Sequence, residues 1–227
     1  YSDAEARLIA GVRYELDGRS SYVFSEDVPG EMIAQIADGD FLGVTTGVSS
    51  SRVYNTEYAA HILGRITRIY EEDWGEYKDK GYAMDALVGE SGVERAFESY
   101  LRGVDGTRII TTDANGKITG ELYTKEPQPG NTVALTLDID LQEVTEKALA
   151  TTVEGMIDED SFQRGAAAVV MKVGSGEVLA SASYPTYDLS KFSEEYEALL
   201  SDERLPMFNR ATDGTYAPGS TFKMCTA

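Results

Sequence analysis

Ser220 and Lys223 stand three residues apart in the run Tyr216-Ala217-Pro218-Gly219-Ser220-Thr221-Phe222-Lys223, close to the end of a 227-residue chain. On a helix that spacing is a little less than one turn, so the hydroxyl and the amine project from the same face. Serine is a weak nucleophile at its own pKa and needs a neighbouring base or an electrostatic setting that favours the alkoxide. A lysine can be that base once burial or a nearby cation lowers its pKa, and a helix N-terminus favours negative charge on an oxygen placed there. Proline cannot continue a helix from upstream and glycine permits a sharp turn, so Pro218-Gly219 predicts that Ser220 begins a helix. The chemistry this suits is acyl transfer, with Ser220 as nucleophile, Lys223 as base and the Ser220 backbone N–H as one donor to a developing oxyanion. About one Ser-x-x-Lys arises by chance in a chain of this size, so the pattern needs support from its surroundings.

Composition narrows the alternatives. With 42% apolar residues the chain can build a substantial core, in one or two domains. Thirty-nine acidic residues against twenty Lys plus Arg give a net charge of −19, which opposes binding to nucleic acid or to an anionic membrane surface. No apolar run approaches the roughly 20 residues that span a bilayer, and the chain starts at Tyr1 without a signal-like segment, so an anchor is expected only outside it. Cys225 is the single cysteine, which excludes an intrachain disulfide and is read as a small buried residue on the Ser220 helix. His61 is the single histidine. That disfavours a Ser-His-Asp apparatus and leaves too few nitrogen and sulfur ligands for a typical zinc site, so no metal or cofactor is expected. His61 lies in the mostly apolar run Tyr58–Gly64 and reads as structural.

The first 130 residues or so predict a mixed α and β module. Tyr14, Leu16, Tyr22 and Val23 around Asp17-Gly18 predict a hairpin over 13–24, and Pro29 with Met32, Ile33 and Ile36 predicts a helix over 28–37. A longer helix is predicted over 91–101 from Val93, Ala96, Phe97, Tyr100 and Leu101, with Ser91 and Glu94 as a capping box and Gly103 as its stop. Strands over 107–112 and 117–123 flank Asp113-Ala114-Asn115-Gly116. Lys117 and Ile118 replace what a calcium loop needs next, so this reads as an Asn-Gly hairpin. Two prolines and a glycine between Lys125 and Gly130 set the expected domain junction.

Beyond it, the pattern predicts a short strand over 133–137 and a helix capped by Asp138 and Asp140. Leu141, Val144, Thr145, Ala148 and Leu149 form the face of that helix expected to pack on a sheet. Two strands, 166–173 and 177–183, joined at Gly174-Ser175-Gly176, are apolar on both faces and predict a central, covered hairpin. An amphipathic helix over 191–200 and a loop through Pro206 and Asn209 lead to the serine motif.

This order of elements, ending in Tyr-Ala-Pro-Gly-Ser-Thr-Phe-Lys, resembles the start of the transpeptidase domain of penicillin-binding proteins. Gly130–Asp138 with Leu141-Gln142, Gly176–Pro185 and Asn209-Arg210-Ala211 match that family independently of the serine. Upstream, Arg52-Val53-Tyr54-Asn55 and Gly89-Glu90-Ser91-Gly92-Val93-Glu94 are similar to two motifs of the pedestal, or dimerisation, module of its class B members. The resemblance implies an α+β fold. Residues 1–130 would form the pedestal of hairpins and short helices, and residues 131–227 the first helix and β-hairpin of a serine β-lactamase-like transpeptidase domain. It also implies a reaction. Ser220 would attack the carbonyl between two D-alanines of a peptidoglycan stem peptide, assisted by Lys223, and an amine from a neighbouring strand would resolve the acyl-enzyme; β-lactams would acylate the same serine.

The family's Ser-x-Asn and Lys-[Thr/Ser]-Gly motifs follow the serine helix, and the sequence reaches Ala227 before either, so the 227 residues alone are expected to be inactive. The expected setting is the extracytoplasmic face of the bacterial cytoplasmic membrane, with other cell-wall synthesis proteins as possible partners of the pedestal. A second reading takes residues 1–130 as a spacer and protein-contact module, with Trp74, Tyr77 and Tyr82 as candidate contacts, although core packing is favoured for them. A third is a β-lactamase or penicillin-sensing relative, which the large module ahead of the serine disfavours.

Overall fold

Ser2 opens the first helix with a capping box: its Oγ accepts the Glu5 N–H at 3.3 Å, and the Glu5 carboxylate accepts the Ser2 N–H at 2.7 Å. The computed structural model describes residues 2–17, 22–25, 27–39, 41, 43–47, 52–84, 86–114, 118–156 and 165–226. Helix α1 runs Asp3–Leu16, which corrects the hairpin expected over 13–24. Arg13 to Leu16 are its last turn, residues 22–24 form no strand, and Gly18 lies outside the described residues. The capping box and the half-buried pair Ile9 and Val12, three residues apart, outweigh the turn dipeptide. Helix α2, Gly30–Asp38, forms where expected, with Pro29 as its N-cap rather than inside its first turn.

In chain order there follow α3 (Ala60–Leu63), β1 (Ile66–Arg68), α4 (Trp74–Asp79), β2 (Leu87–Gly89), α5 (Gly92–Ala96) and α6 (Glu98–Leu101). The hairpin β3 (Thr107–Thr112) and β4 (Ile118–Lys125) comes next, with Asn115 and Gly116 of its expected turn and Lys117 of its expected second strand outside the described residues. Then come α7 (Ile139–Glu154), β5 (Ala166–Met171), β6 (Val178–Tyr184), a 3-10 turn at Leu189–Lys191, α8 (Phe192–Ser201), a 3-10 turn at Gly219–Phe222 and α9 (Lys223–Thr226). Two compact units result: Tyr1–Ser50 with Arg108–Thr124, and Ser51–Thr107 with Lys125–Ala227.

The second unit carries the sites of interest. Its sheets are two-stranded and antiparallel, β1 with β2 (Thr67 opposite Val88) and β5 with β6 (Ala168 opposite Ala182). Its core gathers Ala60, Tyr187 and Leu189, packed by Tyr54, Leu63, Phe192, Leu199 and Met207. The helix expected over 91–101 is broken at Phe97 (φ −113°, ψ 18°) into α5 and α6. Its capping box is absent: Ser91 Oγ accepts the Arg65 N–H, and the Glu94 carboxylate is held by Arg52 instead. Glu98, the first residue of α6, accepts the Gly89 N–H and the Tyr82 hydroxyl, which sets the direction of the second piece. Gly103 is no helix stop, since α6 ends at an extended Arg102.

Three expectations about the later half also change. Residues 133–137 form no strand; the segment meets β6 through Asp138 N–H to Leu179 C=O at 2.9 Å and Thr136 Oγ1 to Val178 C=O at 2.7 Å. Asp138 caps α7 as expected, accepting the Asp140 and Leu141 N–H groups, but the buried face of α7 is Gln142, Glu146 and Val153, while Val144 is 62% exposed. The hairpin β5–β6 is covered unevenly: β6, packed by α7, is buried from Ala180 to Tyr184, whereas Val169 and Met171 of β5 are exposed.

Two glycines allow the loops around α3 and α5 to cross. Gly64, at φ 75°, ends α3 against the Ser91 carbonyl, and Gly92, at φ 56°, sits against the Ile62 carbonyl. A Cβ at Gly64 would overlap Ser91 in a backbone conformation that L residues rarely adopt. Gly64→Ala is therefore expected to lower stability by about 1–3 kcal/mol, read as a fall in the urea midpoint with an unchanged slope; a midpoint equal to the parent's would refute the close approach.

Candidate active site

Ser220 and Lys223 both face solvent. Pro218 caps the 3-10 turn Gly219–Phe222, Ser220 is its second residue, and the Lys223 N–H donates to the Ser220 carbonyl as α9 begins. The serine thus lies at the start of a helical segment, as its sequence context predicted, with the first turn in the tighter 3-10 form. Residues 216–226 are exposed throughout, Cys225 included, which corrects its reading as a buried residue. Among the described residues no group of histidine, cysteine, aspartate and glutamate side chains could hold a metal ion, and no helix is long and apolar enough to cross a membrane.

The two upstream motifs, separated in sequence, meet in space. Arg52 forms a fork on Glu94, with Nε 2.9 Å from Oε1 and Nη2 3.0 Å from Oε2. Arg65 pairs with Glu90 and lays its guanidinium 4.4 Å from the Phe192 ring centroid. Glu94 is buried, and that burial raises its pKa, while Arg52 pulls it down and Glu98 adds to the rise. Tyr54 is likewise raised by burial first and by Glu94 second. These contacts make a structural joint rather than a reactive site: each carboxylate faces its own guanidinium. Arg52→Ala is expected to cost about 1–3 kcal/mol, below the full cost of orphaning a deep ion because the arginine side chain is 40% exposed. A double-mutant cycle with Glu94→Gln measures the coupling, and additive losses would sink the fork.

Helix α3 is held at both ends. At its start, Ala59 occupies the left-handed region (φ 63°, ψ 23°) and donates its N–H to Glu146 Oε1 at 2.8 Å. Burial raises the Glu146 pKa, opposed by the hydrogen bonds from Gln142 and Ala59. Inside α3, His61 is buried, with Nε2 2.8 Å from the Pro206 carbonyl and its ring edge-on to Tyr187 at 5.2 Å. The structural reading of His61 holds. A cleft of about 450 Å³ opens beside it, lined among others by Ile62, Ser91, Val93, Met207 and Asn209, and neither Ser220 nor Lys223 lines it. The polar residues Gln142, Glu146 and Asn209 escaped the pattern of apolar spacing; the only sequence signal was that Gln142 and Asn209 fall inside two family-like motifs.

Burial holds the His61 pKa below its ordinary 6.5, with Arg210 acting the same way and the Pro206 carbonyl opposing. The unfolded chain therefore takes up this proton first as pH falls. Stability from His61 is fully present above the unfolded value and is lost as pH drops through the lowered folded value. Glu94 and Glu146, raised by burial, contribute with the opposite sign, losing stability as pH rises. The check is accordingly a difference: between about pH 7.5 and pH 5, His61→Gln should lose less of its unfolding midpoint than the parent does. Parallel curves would refute it.

Comparison with known proteins extends this picture. Residues 3–135 match the family model for the Penicillin-binding Protein dimerisation domain, and residues 166–227 that for the Penicillin binding protein transpeptidase domain. The Peptidoglycan D,D-transpeptidase MrdA of Salmonella typhimurium is 36% identical over 193 residues, covering 81% of this chain and 29% of that protein. The chain therefore spans less than a third of such a relative's length. Among solved structures, one of a peptidoglycan synthase complex aligns with a TM-score of 0.63 at 36% identity, over 77% of this chain and 31% of the other. A penicillin-binding protein (PBP2) solved in complex with MreC, from Helicobacter pylori, aligns at 0.58 with 28% identity, over 75% and 30%.

Proposed function

Because the chain belongs to the penicillin-binding proteins, as a class B member whose dimerisation domain leads into a transpeptidase domain, we propose that it serves a peptidoglycan D,D-transpeptidase of its relatives' length. The carrying observation is Ser220 at the head of a helical segment within the span matched by the transpeptidase model. Residues 1–130 act in this reading as the pedestal, and residues 131–227 as the first part of the catalytic domain.

Ser220 Oγ adds to the carbonyl carbon between the two D-alanines of a stem peptide. Lys223 takes its proton and returns one to the departing D-alanine amine. The Ser220 N–H helps to hold the tetrahedral oxyanion, and an amine of a second stem peptide then attacks the ester and frees the serine. A β-lactam carbonyl enters the same first step, with ring opening in place of a leaving group. The setting is the extracytoplasmic side of the cytoplasmic membrane. Other cell-wall synthesis proteins contact the pedestal, a reading supported by the solved PBP2–MreC complex and the peptidoglycan synthase complex.

Acyl transfer of this kind draws its rate from donors fixed in a water-excluded site, whereas residues 216–226 are exposed here. The 227 residues alone are accordingly expected to give no stoichiometric adduct with a fluorescent β-lactam by intact-mass measurement. A protein of the relatives' length should give one that Ser220→Ala abolishes. An adduct on Ser220 in the 227 residues, or one that survives Ser220→Ala in the longer protein, would overturn the assignment.

A further inference from the structure

Polar side chains from three segments distant in sequence close a ring of hydrogen bonds through α3. The ring starts at Ala59, whose N–H donates to Glu146 Oε1 at 2.8 Å, and the same oxygen accepts Gln142 Nε2 at 2.7 Å. Gln142 is fully buried and pairs both ways with the backbone of Ser181, donating to its carbonyl at 2.8 Å and accepting its N–H at 2.7 Å. Two residues along β6, Ser183 Oγ donates to Asn209 Oδ1 at 3.4 Å and accepts the Ala211 N–H at 3.3 Å. Asn209 Nδ2 then donates to the His61 carbonyl at 3.4 Å, two residues past Ala59, and the ring is complete.

We propose that Gln142, Glu146 and Asn209 are positioning residues for Ser220, an inference that rests on the reading of Ser220 as the nucleophile. They touch neither Ser220 nor Lys223; they fix the segment from which the serine is suspended. Asn209 Oδ1 also accepts the Ala211 and Thr212 N–H groups at 3.2 and 3.3 Å, and the Asn209 carbonyl accepts the Asp213 N–H at 2.8 Å. Gly214 follows, with no room for a Cβ beneath the Tyr216 ring, and six residues after Gly214 comes Ser220. The left-handed conformation of Ala59 is one that a residue with a Cβ holds only where its surroundings over-determine it, and Glu146 supplies that hold. The placement of α3, which belongs to the pedestal sequence, is in this way transmitted through two carboxamides and one carboxylate to the base of the serine segment. A displacement there of about an ångström is enough to misalign a nucleophile.

The test uses a protein of the relatives' length that carries these residues, with a fluorescent β-lactam as probe and the acylation rate constant as readout. Glu146→Leu and Asn209→Ala should each slow acylation by on the order of tenfold or more, while Glu146→Gln, which keeps the acceptor oxygen, should stay within about threefold of the parent. Val153→Ala removes a buried side chain from the same helix but no member of the ring, so it should lower the melting temperature and leave the rate unchanged. The proposal is overturned if folded Glu146→Leu and Asn209→Ala proteins acylate at the parent rate, or if Val153→Ala slows the reaction as much as they do. Should Glu146→Leu fail to fold, Asn209→Ala decides. Labelling that persists in Ser220→Ala removes the nucleophile reading and the proposal with it, whereas labelling lost in Ser220→Ala but indifferent to the ring variants removes the ring alone.

Discussion

A ribbon of two strands leaves its outer edges to be satisfied by something other than a third strand, and on β6 that partner is the side chain of Gln142. The Ser181 N–H and C=O are buried and turned away from β5, so each must find a partner or cost about 1–3 kcal/mol. A carboxamide answers both at once, as one residue of a neighbouring strand would. The rest follows from helical geometry. With Gln142 facing inward, Glu146 one turn later must face inward as well, and its carboxylate requires donors, which the Gln142 amide and the Ala59 N–H provide.

A second constraint fixes the other side of the same region. Gly64 and Gly92 bring the ends of α3 and α5 within van der Waals contact of each other's backbone, which leaves Arg52, Arg65, Glu90 and Glu94 crowded around one crossing. The arrangement is tolerable because each buried or half-buried carboxylate meets a guanidinium, and Arg65 adds the face of Phe192. Close backbone approach and charge pairing thus meet in one place: the glycines let the two backbones cross, and the guanidiniums neutralise the carboxylates held there.

What was legible in the sequence is what local rules govern. Asp138 as a cap, the hairpin around Gly174-Ser175-Gly176, the helix after Pro29 and the serine motif after Pro218-Gly219 are decided within a few residues, and each forms near its expected place. The readings that failed did so because a distant group claimed the side chain. Ser91 and Glu94 have the spacing of a capping box, yet Arg52, 42 residues away, offers Glu94 a charge-assisted fork that a backbone N–H cannot match. The inward face of α7 was misassigned because apolar spacing cannot reveal a helix that packs on a sheet edge through a glutamine and a glutamate. At the candidate active site, the Ser220 and Lys223 motif was legible while the polar contacts that hold the preceding segment were not.

The ring through α3 also bears on the order in which the molecule can assemble. The Asn209 amide and the His61 carbonyl that it meets are 148 residues apart. During synthesis at about 5–20 residues per second, α3 emerges roughly 7–30 s before its last partner exists. Over the first part of that interval a four-residue helix, too short to be stable alone, lacks the Glu146 carboxylate, 87 residues away, that accepts the Ala59 N–H, and over all of it lacks the Asn209 amide that meets the His61 carbonyl. The region around Ala59 and Tyr187 is therefore among the last parts of the second unit to consolidate, and its closure is a non-local event of the kind that slows folding. Until residues 206–209 are made, His61 lacks both the Pro206 carbonyl that its ring meets and the Asn209 amide that meets its own carbonyl.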